Sequence, residues 1–97
     1  MINVLANQLD KTILDKLTIL DVRTAEEYGE GNIPSSTNMP VDVIISSNNL
    51  NLDKSKALLV YCESGARSQL VCQILDQQGY QTYNLLGGYT AWLATKH

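Results

Sequence analysis

Cys62 is the residue in this chain best placed to do chemistry. It follows the apolar run Ala57-Leu58-Leu59-Val60-Tyr61 and precedes Glu63-Ser64-Gly65-Ala66-Arg67-Ser68, after which a helical pattern begins. A cysteine between a strand and a helix N-terminus lies where successive backbone N–H groups curl around the sulfur and the helix dipole adds partial positive charge. Both effects favour thiolate over thiol, and the thiolate is the nucleophile. Gly65 gives the loop a residue free to take a positive φ, Ala66 keeps its wall small, and Arg67 supplies a permanent cation at its rim. The alternative is an inert thiol at a strand end.

The other chemistry-bearing residues are few. The only histidine, His97, is the last residue, so Cys-His and Ser-His-Asp activation would need the tail to fold back, and backbone and arginine are expected to activate Cys62. The second cysteine, Cys72, is ten residues from Cys62. If Cys62 opens the helix that carries Cys72, the two are about 15 Å apart and cannot form a disulfide, which points to free thiols and a reducing compartment. Cys72 reads as a small buried helix residue, with a resolving thiol as the rival reading. Ser64 and Ser68 read as helix caps or as hydroxyl donors to the sulfur. Arg67 either binds an anionic substrate or braces the loop by pairing with Asp21 or Glu27. Asp21 and Arg23 end a neighbouring strand near the same face. A structural ion pair with Glu27 is the favoured reading, so they are possible support rather than catalytic groups.

The elements needed to position these residues are visible as short apolar runs alternating with helical patterns. A brief strand is expected at Asn3-Val4-Leu5, then a helix capped by Asn7 and carrying Leu9, Ile13 and Leu14. Leu17 to Val22 reads as a buried strand. Thr24-Ala25-Glu26-Glu27 reads as a capping box opening a short helix that stops near Gly29 or Gly31. The turn-rich stretch from Ile33 to Pro40 has room for one short strand, Val41 to Ser46 for a helical turn or two, and Ser47 to Lys56 reads as surface loop. Residues 57–61 form the strongest strand, lacking polar alternation as a central parallel strand does. After Gly65, Leu70, Val71, Ile74 and Leu75 recur at helical spacing up to Gly79. Thr82 to Leu86 reads as another strand, and Gly87-Gly88 turns into a last helix with Tyr89, Trp92 and Leu93. The alternation predicts an α/β fold with a parallel sheet.

Composition narrows the function. The 97 residues are read as one domain, 1–97, with 44% hydrophobic and 18% charged residues, a globular composition. The net charge of −3 leaves no broad basic face for nucleic acid. Absence of a basic-then-apolar leader and of any long apolar run argues against a membrane and for a cytoplasmic address.

The motifs then carry a resemblance. Cys62-Glu63-Ser64-Gly65-Ala66-Arg67-Ser68 resembles the active loop of single-domain rhodaneses. Leu20-Asp21-Val22-Arg23 with Glu27-Tyr28 and Gly31-Asn32-Ile33-Pro34 is similar to the family's first signature, and Asn84-Leu85-Leu86-Gly87-Gly88-Tyr89 with Ala91-Trp92 to its C-terminal one. The resemblance implies a five-stranded parallel sheet with helices on both faces and a sulfurtransferase working through a Cys62 persulfide held by the loop residues 63–68. It implies a small sulfur donor such as thiosulfate, a thiol or cyanide acceptor or a sulfur-relay protein, and no metal or organic cofactor. The chain departs from the family at Gly31-Asn32-Ile33-Pro34-Ser35-Ser36, where Gly-His-Ile-Pro-Gly-Ala is usual, a difference expected to be structural. Glu63 sets a negative charge where an anionic donor would approach, so thiosulfate is expected to be a poor substrate and a persulfide a better one.

Two rival functions follow from the same residues. Cysteine phosphatases and arsenate reductases set five residues between cysteine and arginine. Cys62 and Arg67 are separated by four, a cradle too small for a tetrahedral oxyanion. A binding or relay module would use the fold with little free turnover, but such modules commonly lack the cysteine kept here.

Overall fold

The computed structural model describes residues 1–47 and 50–96. Asn48 and Asn49, within the expected surface loop, and His97 lie outside the described residues. Five strands, β1 (Ile2–Val4), β2 (Thr18–Asp21), β3 (Thr37–Asn38), β4 (Leu58–Tyr61) and β5 (Thr82–Leu85), form one sheet in the order β1-β5-β4-β2-β3. Every pairing is parallel. The helices are α1 (Lys11–Leu14), α2 (Ala25–Gly29), α3 (Val41–Ser46), α4 (Ala66–Gln77) and α5 (Gly88–Ala94), with a 3-10 turn at Ala6–Gln8 before α1.

Alternate side chains of β4 serve two cores. Leu58 and Val60 pack with Ile44 of α3 and Val71, Cys72 and Leu75 of α4 on one face. Leu59 and Tyr61 pack with Ala6, Ile33, Leu85 and Trp92 of α5 on the other. Both faces of the strand are therefore covered, which is why residues 57–61 read as an unbroken apolar run. Each fully buried aliphatic side chain contributes about 1.5–3 kcal/mol relative to exposure, so the central strand anchors the molecule. The register aligns Asp21 of β2 with Tyr61 of β4, and Val60 with Asn84 of β5. The carboxyl ends of β2, β4 and β5 thus emerge side by side, and the loops that follow share one edge of the sheet.

Several expectations need correction. Asn7 lies within the 3-10 turn, and the residue that caps α1 is Asp10, whose side chain accepts from the Ile13 amide at 2.9 Å. Leu70 and Leu93 face solvent, 48% and 50% exposed. The buried stripe of α4 comprises Ser68, Val71, Cys72 and Leu75. Helix α4 opens at Ala66, not at Cys62, and both cysteines are free thiols. The Thr24 capping box forms as read: Thr24 Oγ1 accepts from the Glu27 amide and Glu27 Oε1 accepts from the Thr24 amide, each at 3.1 Å.

Candidate active site

Cys62 leaves the end of β4 within the core that Leu58 and Val60 form with α3 and α4, and is 1% exposed. The chain then makes a tight loop in which Gly65 has φ 105°, the left-handed region, and serves as the N-cap of α4. A side chain at Gly65 would also press on the Gly87 amide nitrogen, with a Cβ 3.3 Å away. This turn folds the chain back so that the Gly65 N–H donates to Cys62 Sγ at 3.0 Å. Burial by itself pushes the Cys62 thiol up. The Ser68 hydroxyl and the amides of Ser68, Gly65 and Ser64 more than offset that, and the thiol lies below its ordinary value.

Ser64 is exposed and Ser68 buried. Neither caps α4, whose N-terminus has no side-chain cap. The Ser68 hydroxyl lies 3.1 Å from the Gly65 carbonyl and within hydrogen-bond reach of Asn84 Oδ1. Asn84 in turn donates through Nδ2 to Asn3 Oδ1 of β1 at 3.2 Å. A polar relay thus runs from β1 through β5 to the sulfur loop. In the sequence Asn84 stands only as part of the C-terminal motif, with no role of its own; its polar side chain within the buried run Thr82 to Leu86 was the signal for one.

The two arginines are both committed to carboxylates. Arg23, 2% exposed, binds Asp21 through Nε and Nη2, the shortest contact being 2.7 Å to Oδ2, and donates through Nη1 to Glu63 at 3.1 Å. It also donates to the Gly31 carbonyl at 2.6 Å, and its guanidinium stacks 4.4 Å from the Tyr89 ring centroid. Burial opposes its charge, but Asp21 and Glu63 outweigh that and hold Arg23 firmly protonated. The expected ion pair of Asp21 and Arg23 with Glu27 is therefore wrong in its partner. Arg23 precedes the cap of α2 and turns back over Asp21, while Glu27 points to Arg67. Arg67 makes two parallel bonds to Glu27, 2.8 Å and 3.0 Å, which draw the Glu27 carboxyl down to about 2.

The Gly87-Gly88 turn closes the back of the loop. The amides of Tyr89 and Thr90, at the start of α5, donate to the carbonyls of Cys62 and Glu63 at 2.8 and 3.1 Å. With those carbonyls held from behind, the loop's following amides face the sulfur. A cleft of about 360 Å³ beside the loop is lined by Arg23, Glu27, Glu30, Gly31, Glu63, Tyr89 and Leu93. Among the described residues, no group of three or more His, Cys, Asp and Glu side chains is placed to hold a metal ion, and no helix is long and apolar enough to cross a membrane.

The fold that carries this cysteine loop has counterparts in known proteins. The Rhodanese-like domain family matches residues 3–95. The chain belongs to the rhodanese-like family. A sulfurtransferase of Allochromatium vinosum (strain ATCC 17899) is 33% identical over 96 residues, covering 91% of this chain and 89% of the relative. The thiosulfate sulfurtransferase GlpE of Coxiella burnetii (strain RSA 331 / Henzerling II) is 35% identical over 79 residues, covering 80% and 73%. The crystal structure of a rhodanese-related protein from Thermoplasma volcanium superposes with a TM-score of 0.90 at 27% identity, covering 100% of this chain and 95% of that one. The expected rhodanese-like α/β fold and family membership are thereby established.

The two thiols of this rhodanese-like domain differ in a way that modification reads out. Burial pushes the Cys72 thiol up to about 11, whereas Cys62 is depressed. Iodoacetamide is expected to label Cys62 alone in the folded protein, with a rate that rises through a midpoint below the ordinary thiol value of about 8.5. Cys72 is expected to label only in denaturant. Peptide mapping after labelling across a pH series checks both, and labelling of native Cys72 at the rate of Cys62 would contradict the assignment. The linked stability effects have opposite signs. The depressed Cys62 stabilises the fold increasingly as pH rises from its folded value to about 8.5, and the raised Cys72 removes stability from there up to about 11.

Proposed function

We propose that this chain is a sulfurtransferase that moves a sulfane sulfur from a donor to a thiophilic acceptor through a persulfide on Cys62. The observation that carries the reading is the set of loop N–H groups turned onto a depressed thiol, headed by the Gly65 amide 3.0 Å from Sγ. Donors fixed at the sulfur in the resting protein need no reorganisation when a persulfide anion forms there. Sγ of Cys62 attacks the outer sulfur of thiosulfate. The new S–S bond forms as the old one breaks with its electron pair leaving on sulfite, so a thiolate and a dianion become a persulfide anion and sulfite. A thiolate acceptor then attacks the outer persulfide sulfur, takes it as a new persulfide and returns the Cys62 thiolate. Cyanide in the same role leaves as thiocyanate.

Charge at the loop favours donors less anionic than thiosulfate. Glu63 does not stand free over the sulfur, being held by Arg23. Even so, Arg23 and Arg67 face Asp21, Glu27 and Glu63, and Glu30 lines the same cleft, which leaves an excess of negative charge beside the loop. A persulfide presented by a small thiol or by a sulfur-relay protein avoids bringing a dianion to that place.

The test is the intact mass of the reduced protein after incubation with thiosulfate and, separately, with a low-molecular-weight persulfide. One added sulfur, mapped to Cys62 and removed by cyanide or a thiol, is the expected result, with faster loading from the persulfide. No added sulfur from either donor would overturn the reading.

A further inference from the structure

Arg67 is the cation best placed to meet an anionic donor, since it stands at the rim of the loop five residues after Cys62 and is 39% exposed along its side chain. Arg23, the other cation of the site, is enclosed by Asp21, Glu63, Gly31 and the Tyr89 ring. Arg67 nevertheless offers two of its N–H groups to Glu27, in the parallel geometry that satisfies a guanidinium fork. Glu27 is itself fixed, because the same carboxylate closes the Thr24 capping box at the start of α2. The backbone cap of α2 and the ion pair to α4 therefore meet on one side chain.

We propose that Glu27 is a specificity-determining residue: by holding Arg67, it withholds from the donor the one accessible cation that the described residues set at the Cys62 loop, and so selects against highly anionic donors. The inference rests on the sulfurtransferase reading above. It assigns donor selection to a residue that lies outside the cysteine loop, on a different helix, and that acts on the site only through its ion pair with Arg67. Thiosulfate must compete with a bidentate carboxylate for Arg67, whereas a donor with less charge has less to gain from the arginine and loses less by its absence.

The two donors for the test share their chemistry and differ in charge. Thiosulfate is a dianion, and an aromatic thiosulfonate is a monoanion that yields its outer sulfur to the same attack with a sulfinate leaving. Glu27→Gln keeps a side chain able to close the capping box and removes the charge that holds Arg67. At low ionic strength, where screening is weakest, this variant is expected to raise kcat/KM for thiosulfate relative to the thiosulfonate by about fivefold, the scale set by one exposed ion pair. Glu26→Gln removes the same charge from an exposed position on the same helix without releasing Arg67 and is expected to leave the ratio at its wild-type value. In an Arg67→Gln background the Glu27→Gln gain is expected to vanish, which isolates the coupling between the two residues.

An unchanged ratio in Glu27→Gln, an equal fall for both donors, or an equal gain in Glu26→Gln would overturn the role of Glu27. Each of these leaves the persulfide mass on Cys62 intact, and the sulfurtransferase reading with it. Failure of every variant and the wild type to acquire sulfur at Cys62 would overturn both together.

Discussion

Replacing Cys62 by serine is expected to abolish sulfur transfer while leaving the fold intact. A serine hydroxyl has no accessible anionic form near neutral pH and cannot store a sulfane sulfur as a persulfide, so turnover falls to the uncatalysed rate with every donor. The structural cost is small for an identifiable reason. The loop already directs the Gly65 amide at the position of Sγ, and a hydroxyl oxygen accepts the same bond. A stability change below about 1 kcal/mol is expected, within the range of a single neutral hydrogen bond. The difference from wild type is expected to widen as pH rises towards about 8.5, because only the cysteine carries a depressed thiol whose ionisation favours the folded state. Coupled-donor kinetics and thermal melts at two pH values check both parts. Residual transfer in the serine variant would remove Cys62 from its role. A collapse in melting temperature would instead show that the sulfur is a packing element of the core below it.

What could be seen beforehand separates by the range of the forces involved. The central strand was legible because a parallel strand covered on both faces is apolar along its length, as residues 57–61 are, and residues 17–22 keep enough of that character to read as buried although Thr18 and Asp21 interrupt it. The Thr24 cap was legible because a capping box closes within four residues. Local signals failed where two neighbouring residues could serve. Asn7 and Asp10 are both good caps, but Asn7 falls inside the 3-10 turn, whose Ala6 is buried in the core with Ile19 and Trp92, and Asp10 is left to cap α1. Leu70 and Leu93 satisfied helical spacing, but which side of a helix meets the sheet is decided by where the chain enters it, and the face of α4 that turns inward carries Ser68 and Cys72 instead. The cysteine loop itself was recognisable from its residue types. Its electrostatics were not, because Arg23 with Glu63 and Arg67 with Glu27 each span 40 positions. Glu27 was expected as the partner of Asp21 and Arg23, but Arg23 turns back over Asp21 and reaches Glu63, and Glu27 is taken by Arg67.

Gly88→Ala is expected to damage both the fold and the cysteine loop. Gly88 has φ 59°, and a Cβ built there would sit 2.4 Å from the Cys62 carbonyl oxygen and 2.6 Å from that of Glu63. Neither contact is with a side chain that can swing away. Both are with carbonyl oxygens that already accept from the Tyr89 and Thr90 amides of the same helix, so the methyl must either push α5 off the loop or push the loop off α5. Left-handed backbone costs an alanine about 1–2 kcal/mol, and the overlap with fixed backbone brings the expected loss to about 3 kcal/mol. For a domain of this length that corresponds to a fall in Tm of about 12–24 °C. Gly29→Ala is the matched comparison, since a Cβ there meets nothing within 4 Å, and it is expected to leave the melting temperature nearly unchanged. The effect on function should exceed what the stability loss explains. At a temperature where the Gly88 variant is still folded, its Cys62 is expected to label at a midpoint nearer the ordinary thiol value, because carbonyls released from α5 no longer hold the following amides against the sulfur. A variant that melts like wild type and keeps a depressed Cys62 would show that the loop holds its shape without the grip of α5. Sulfur chemistry would then depend on the loop residues 62–68 alone.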